Sequence, residues 1–149
     1  MKYKIICVGK IKEQFYRDEI ERLLKMIRKR NDVIDIIEIP DVNIPDKLKE
    51  ASKEKFLDNE CKPMYARIKK SDYIIALCIE GREYSTDKHK EIVENAAELG
   101  KECITYIIGG SLGISDNVKK LADVKLSFSK MTFPHQLMRI VLLEEISHL

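Results

Sequence analysis

Short apolar, β-branched runs recur along this chain between longer charged stretches whose apolar residues fall at helical spacing, and few folds accept that alternation. Residues 3–8 (YKIICV) read as a strand ended by Gly9, Val33–Ile39 (VIDIIEI) as a second closed by Pro40, and residues 73–79 (YIIALCI) as a third. Cys103–Ile108 (CITYII) makes a fourth and residues 124–128 a fifth. Between them, Tyr16, Ile20, Leu23, Leu24 and Ile27 recur at spacings of three and four, the signature of an amphipathic helix. Residues 45–70 are helical in pattern, with Leu57, Cys61, Met64 and Ile68 on one face. Pro63 interrupts that face at a cost of about 3 kcal/mol in a helix interior, so a kink or a second helix is expected there. Ser85, Thr86 or Asp87 caps a helix that buries Ile92, Val93, Ala96 and Leu99 and stops at Gly100. Ser115 caps a short helix carrying Val118 and Leu121. Pro134 opens a last helix that buries Leu137, Ile140, Val141 and the apolar neighbours of Glu144.

Such a series of βα units, without repeats or linkers, predicts a single α/β domain over residues 1–149, with a mostly parallel sheet flanked by helices. The nearly unbroken apolarity of the third run fits a strand covered on both faces. In sheets of this kind ligands bind beyond the carboxyl ends of the strands, where the strand order switches. The loops that follow strands are therefore where function is sought.

Charge narrows the function classes little. Lys and Arg number 27 against 25 Asp and Glu, a net +2, so the general basic excess of many nucleic-acid binders is missing. Any RNA contact must come from a local patch. Cys7, Cys61, Cys78 and Cys103 form no C-x-x-C pair and match no metal-site spacing, so they read as reduced, core-filling thiols and no metal is expected. The apolar run 5–8 is too short for a leader peptide's core, and no run approaches the roughly 20 residues that span a bilayer. The expectation is a cytoplasmic protein with no membrane partner.

The turn after the first strand holds one glycine, so the G-x-G-x-x-G dinucleotide fingerprint is missing from its usual place, and no P-loop occurs anywhere. Both absences weigh against an NAD enzyme and an NTPase. Glycines cluster instead after the fourth strand, as Gly109, Gly110 and Gly113. Such a cluster lets backbone approach a ligand and frees N–H groups to bond it, or it serves only a tight turn that needs positive φ. Residues 126–136 (LSFSKMTFPHQ) place hydroxyls, aromatics, one Lys and one His between a strand and a helix, where α/β proteins carry function. Phe128, Met131 and Phe133 suit the apolar walls of an adenine site, or equally core plugs. His135 and Arg139, four apart on one helical face, either meet a substrate together or form a solvated face.

Residues 107–113 (IIGGSLG) and 126–139 (LSFSKMTFPHQLMR) closely resemble the bacterial ribosomal RNA large subunit methyltransferase H family, of the SPOUT class. Residues 5–13 (IICVGKIKE) and 36–41 (IIEIPD) are similar to it as well, so the likeness covers nearly the whole chain. The resemblance implies methylation of N3 of a pseudouridine in 23S rRNA, within the large subunit or the assembled ribosome, with S-adenosylmethionine as cofactor. It implies a deep trefoil knot near the C-terminus, which spacing alone would never suggest because connections are almost always unknotted. It further implies a homodimer with the final helix in the interface. Carried over by position, the cofactor pocket would use Leu77, Gly109, Phe128, Ser129, Lys130, Met131, Thr132 and Phe133. His135 and Arg139 are the candidates for contacting RNA, with Arg139 stabilising developing negative charge or gripping a phosphate.

In the family the last helix reads Glu-Gln, an aliphatic residue, then Tyr-Arg-Ala, and continues into a basic, aromatic tail. Here the sequence reads Glu144-Glu145-Ile146-Ser147-His148-Leu149, with Ser147 at the Tyr position and His148 at the Arg position. The expectation is a preserved cofactor pocket and weakened RNA grip and base stacking. The alternative to the enzyme is thus a catalytically impaired S-adenosylmethionine- or RNA-binding homologue; another is an α/β nucleotide- or flavin-binding module.

Overall fold

The computed structural model describes residues 1–149. Five strands, β1 (Lys2–Val8), β2 (Val33–Ile39), β3 (Asp72–Glu83), β4 (Cys103–Ile108) and β5 (Val124–Ser127), form one sheet in the order β2-β1-β4-β3-β5. Every neighbouring pair is parallel, as the alternation predicts. Helices α1 (Gln14–Lys29), α3 (Thr86–Glu98) and α5 (His135–Ser147) cover one face, over Ile5, Ile75, Ile104 and Tyr106. On the other face α2 (Glu50–Cys61), a 3₁₀ turn (Lys62–Arg67) and α4 (Asp116–Lys119) cover Ile6, Ile74, Ala76 and Ile107. A three-layer α/β/α domain results. None of its helices is long and apolar enough to cross a membrane.

Several boundaries differ from the expected ones for local reasons. The 45–70 segment is helical only over α2 and the 3₁₀ turn, with Pro63 at the start of the turn, where its missing N–H costs nothing. Ser85 caps α3 by accepting from the Lys88 N–H, and Ser115 caps α4 by accepting from the Val118 N–H. Leu99, expected to be buried, is 75% exposed because it is the residue at which the chain leaves α3 for Gly100, at φ +82°. Leu121 lies past the end of the four-residue α4 and is exposed too. Pro134 precedes α5 with an extended backbone rather than opening its first turn. Cys7, Cys61 and Cys103 are buried and Cys78 is half-buried, all four as free thiols. Burial pushes the Cys7 thiol up to about 12.

The largest departure is the facing of α5. Its buried residues are Arg139, Leu142, Leu143 and Ile146, whereas Leu137, Ile140 and Val141 are only half-buried. The helix is apolar on two sides, and the sheet and α1 take one of them. Arg139 belongs to the packed side: its side chain is 2% exposed and spans from α5 to the carboxyl ends of β1 and β2. Nη2 donates to the carbonyls of Val8 (3.0 Å) and Gly9 (2.6 Å), and Nη1 to Glu38 Oε2 at 2.8 Å. So enclosed, the guanidinium spends both terminal nitrogens on the protein's own groups and holds α5 against the sheet. At the far end Arg30 of α1 donates to the carbonyls of Ile146 (2.7 Å) and Ser147 (3.0 Å), which closes the helix C-terminus.

A second buried polar chain links α3, β4 and α5. His89 Nε2 is hydrogen-bonded to the Tyr106 hydroxyl at 2.7 Å, and His89 Nδ1 lies 3.2 Å from Glu145 Oε1. Burial lowers the His89 pKa below its ordinary value, only partly offset by the Glu145 carboxylate.

Two outcomes are expected. The unfolded chain takes up a proton at histidine near pH 6.5, more readily than the folded His89 does. The stability that goes with a neutral His89 is therefore complete above about pH 6.5 and lost as pH falls below it. Denaturant titrations at stepped pH should show unfolding free energy falling on the acid side. In His89→Gln the slope below pH 6.5 should be shallower, by at most about 1.4 kcal/mol per pH unit. Arg139→Ala leaves Glu38 and two carbonyls without their donor and should cost about 3 kcal/mol in urea unfolding, the low end for a broken buried pair because Glu38 keeps access to water. A cost below about 1 kcal/mol would contradict the clasp.

Candidate functional site

Beyond the carboxyl ends of β4, β3 and β5 lies a cavity of about 390 Å³, within the range of roughly 300–1,000 Å³ that suits a drug-sized ligand. Leu77, Ile108 and Leu126 contribute apolar floor. The glycine turn forms one wall and the connection from β5 to α5 the other.

The rim owes its shape to an irregularity in β3. Leu77 pairs with Leu126, and Arg82 pairs with the same Leu126, so residues 78–81 loop out between them. Cys78, Ile79 and Glu80 of that bulge line the cavity. Gly81 is where the bulge closes on β5: a Cβ there would lie 2.7 Å from the Lys125 carbonyl oxygen. Expecting the strand to end at Ile79 missed this extension, because pairing that breaks and resumes leaves no periodic trace.

The glycine turn folds back on itself. The Gly113 N–H donates to the Gly110 carbonyl at 3.0 Å, and Gly113 has φ +92°, open to glycine at little cost. A Cβ at Gly109 would lie 2.2 Å from the Gly113 carbonyl oxygen, so the turn closes only with glycine at both positions. The opposite wall is held by its own hydroxyls. Ser127 Oγ donates to the Ser129 carbonyl, and Ser129 Oγ accepts from the Met131 N–H, both at 3.0 Å.

Of the residues expected to hold a cofactor, Leu77, Gly109, Phe128, Ser129, Met131, Thr132 and Phe133 all line this one cavity. Lys130 does not, and points outward into solvent. Met131 is 72% exposed and Phe133 43%, so the mouth carries loose apolar side chains rather than core plugs. His135 lines the cavity as well. Burial, and then the Arg139 charge, lower its pKa, against the weaker pull of Asp41, so the neutral ring is favoured. Arg139 lines neither this cavity nor the next.

A smaller cavity of about 190 Å³ adjoins the first and shares Gly110, Ser111, Leu112 and His135 with it. Val8 of β1 and residues 41–44 after β2 contribute to it, as do Phe56 and Glu60 of α2. Sequence reading passed over Glu60, which looks like one more solvated charge in a polar helix, yet its side chain is buried and the residue only 4% exposed. Its Oε2 accepts from the Val42 N–H at 3.2 Å, and its Oε1 has no partner. No cluster of three or more His, Cys, Asp or Glu side chains is placed to hold a metal ion.

Apolar walls, a backbone-rich turn and a few hydroxyls suit the main cavity to binding and orienting a bulky ligand. A family model described as "Predicted SPOUT methyltransferase" matches residues 1–147. Over 146 residues, 98% of this chain, the sequence is 45% identical to a protein of Caldanaerobacter subterraneus subsp. tengcongensis named ribosomal RNA large subunit methyltransferase H 2, covering 97% of it. It is 42% identical to ribosomal RNA large subunit methyltransferase H of Streptococcus uberis, covering 91% of that protein. It is also 42% identical to ribosomal RNA large subunit methyltransferase H 1 of Thermoanaerobacter pseudethanolicus, covering 94%. With this agreement along almost its full length, the chain belongs to the SPOUT methyltransferase family.

Proposed function

We propose that this protein methylates N3 of a pseudouridine in 23S rRNA of the large subunit or assembled ribosome, in the cytoplasm, with S-adenosylmethionine as methyl donor. One observation carries the reading: two connections separated by α4 and β5, the glycine turn and residues 128–133, meet around a single cavity of about 390 Å³. The names of the relatives supply the rRNA.

The residues present fit this cofactor. When bound, it supplies a methyl group on a sulfonium already activated for transfer. Leu77, Phe128 and Met131 offer apolar faces to the adenine, and Ser129, Thr132 and the backbone of the glycine turn offer polar groups to the ribose and amino-acid ends. Lys130, outside the cavity, is left to contact the RNA rather than the cofactor. His135, neutral and on the inner wall, meets the RNA where donor and acceptor come together. Arg139, one turn further along α5, positions it. Alignment of donor and acceptor is the protein's main contribution to rate.

Two further features belong to this reading. β5 sits at the edge beyond β3, while α5 is tied to β1 and β2, so residues 128–134 run back across the carboxyl ends of β3 and β4. That path supports the threaded, trefoil-knotted arrangement. Leu137 and Val141, four apart on α5, half-buried and outside the packed core, support a homodimer built on that helix.

Calorimetric titration with S-adenosylmethionine should show saturable binding, and incubation with unmethylated ribosomes and tritiated cofactor should label 23S rRNA. Gly109→Ala forces the turn open and should weaken cofactor binding at least about tenfold, or about 1.4 kcal/mol. No binding at millimolar cofactor would overturn the assignment. Sedimentation equilibrium should give twice the 17.3 kDa chain mass.

A further inference from the structure

The smaller cavity remains unassigned by the reading above. It lies over the boundary between β1 and β4, since Val8 ends β1 and Gly110 follows β4. There the strand order switches: the chain leaves β1 toward β2 on one side and leaves β4 toward β5 on the other. Open α/β sheets bind ligands at such switch points. At about 190 Å³ the space is too small for a nucleoside cofactor but adequate for one ring, with the half-buried Phe56 and Val42 as apolar surface for its faces.

Two independent features point to a hydrogen-bond donor entering it. Glu60 Oε1 is buried and unpartnered, a state that costs about 1–3 kcal/mol until a donor is supplied. Gly110 is the second. Its backbone lies outside the left-handed region, so conformation does not demand glycine. A Cβ there would stand 2.9 Å from Glu60 Oε1 and 3.2 Å from Val8 Cγ1. Glycine at this position keeps open the space directly over the bare oxygen.

We infer that the smaller cavity receives the flipped-out target base, and that Glu60 selects pseudouridine over uridine by accepting a hydrogen bond from ring N1–H. The inference rests on the methyltransferase reading above. In uridine N1 bears the sugar; in pseudouridine the sugar is on C5 and N1 carries a hydrogen. N1 and N3 flank the C2 carbonyl, so one ring edge can face the wall shared by the two cavities. N3 then points toward the methyl donor, N1–H toward Glu60, and the sugar outward. Enzymes that act on a base hold it out of the stack and read its edge in this manner. A buried acceptor left unpaired by uridine supplies the discrimination.

The test compares ribosomes carrying unmethylated pseudouridine at the target with matched ribosomes carrying uridine. The wild-type protein should prefer pseudouridine at least about tenfold in kcat/KM, the worth of one such bond. Glu60→Leu should lose that preference while its calorimetric affinity for S-adenosylmethionine stays within about twofold of wild type, and Glu60→Gln, which keeps an acceptor, should retain part of it. Gly110→Ala, which covers the oxygen without removing it, should lose the preference too and serves if Glu60→Leu does not fold. Equal wild-type rates on both ribosomes, or variants that slow equally on both, or a preference intact in Glu60→Leu or Gly110→Ala, would overturn the inference. A wild-type protein that labels neither ribosome would instead sink the methyltransferase reading, and this one with it.

Discussion

The arrangement of both cavities depends on one guanidinium. Arg139 holds the first half of α5 against the ends of β1 and β2, and no apolar contact could do this, because the groups it meets are strand-terminal carbonyls and a carboxylate. Carbonyls at the ends of parallel strands need donors from outside the ladder. Arg139 supplies two of those donors and draws α5 across the top of the sheet. His135, one turn earlier, comes to the partition between the cavities, where its Nε2 lies 3.8 Å from the position a Cβ on Gly9 would take. The local cost is a buried Nε without a partner. Removing the arginine would therefore disturb the site without touching a ligand.

Glycine serves different ends within five residues. Gly113 is chosen for its dihedral angle, Gly109 for the backbone that presses on it, and Gly110 for the space it leaves above a carboxylate. The first two are requirements of the turn. The third is a requirement on something outside it, and that difference separates a tight turn from a binding wall.

Much of the fold was legible because the decisive signals are local. The β-branched runs of β2 and β4, bounded by Pro40 and Gly109, agree with the structure at both ends, and the Ser85 and Ser115 caps lie where a hydroxyl precedes an apolar periodic stretch. Of the residues expected to hold a cofactor, Leu77, Gly109 and most of 128–133 converge on one cavity, although Lys130 is exposed outside it. What sequence hid was the burial of charge. A charged side chain on a helix reads as solvated, and the partners of Arg139 and Glu60 lie 101 and 18 residues away. The facing of α5 was obscured for a related reason, since a helix apolar on two sides has no unique inward stripe.

The bulge in β3 carries a consequence for how such a domain tolerates change. The pairing points on either side of residues 78–81 share the single partner Leu126, so the slack between them belongs to no ladder. Lengthening or shortening that slack would alter the lip of the cavity while leaving the alignment of both flanking strand segments as it stands. Ligand preference and architectural integrity are thereby uncoupled at this edge, and natural variation or deliberate engineering can retune the lip with the rest of the sheet held constant.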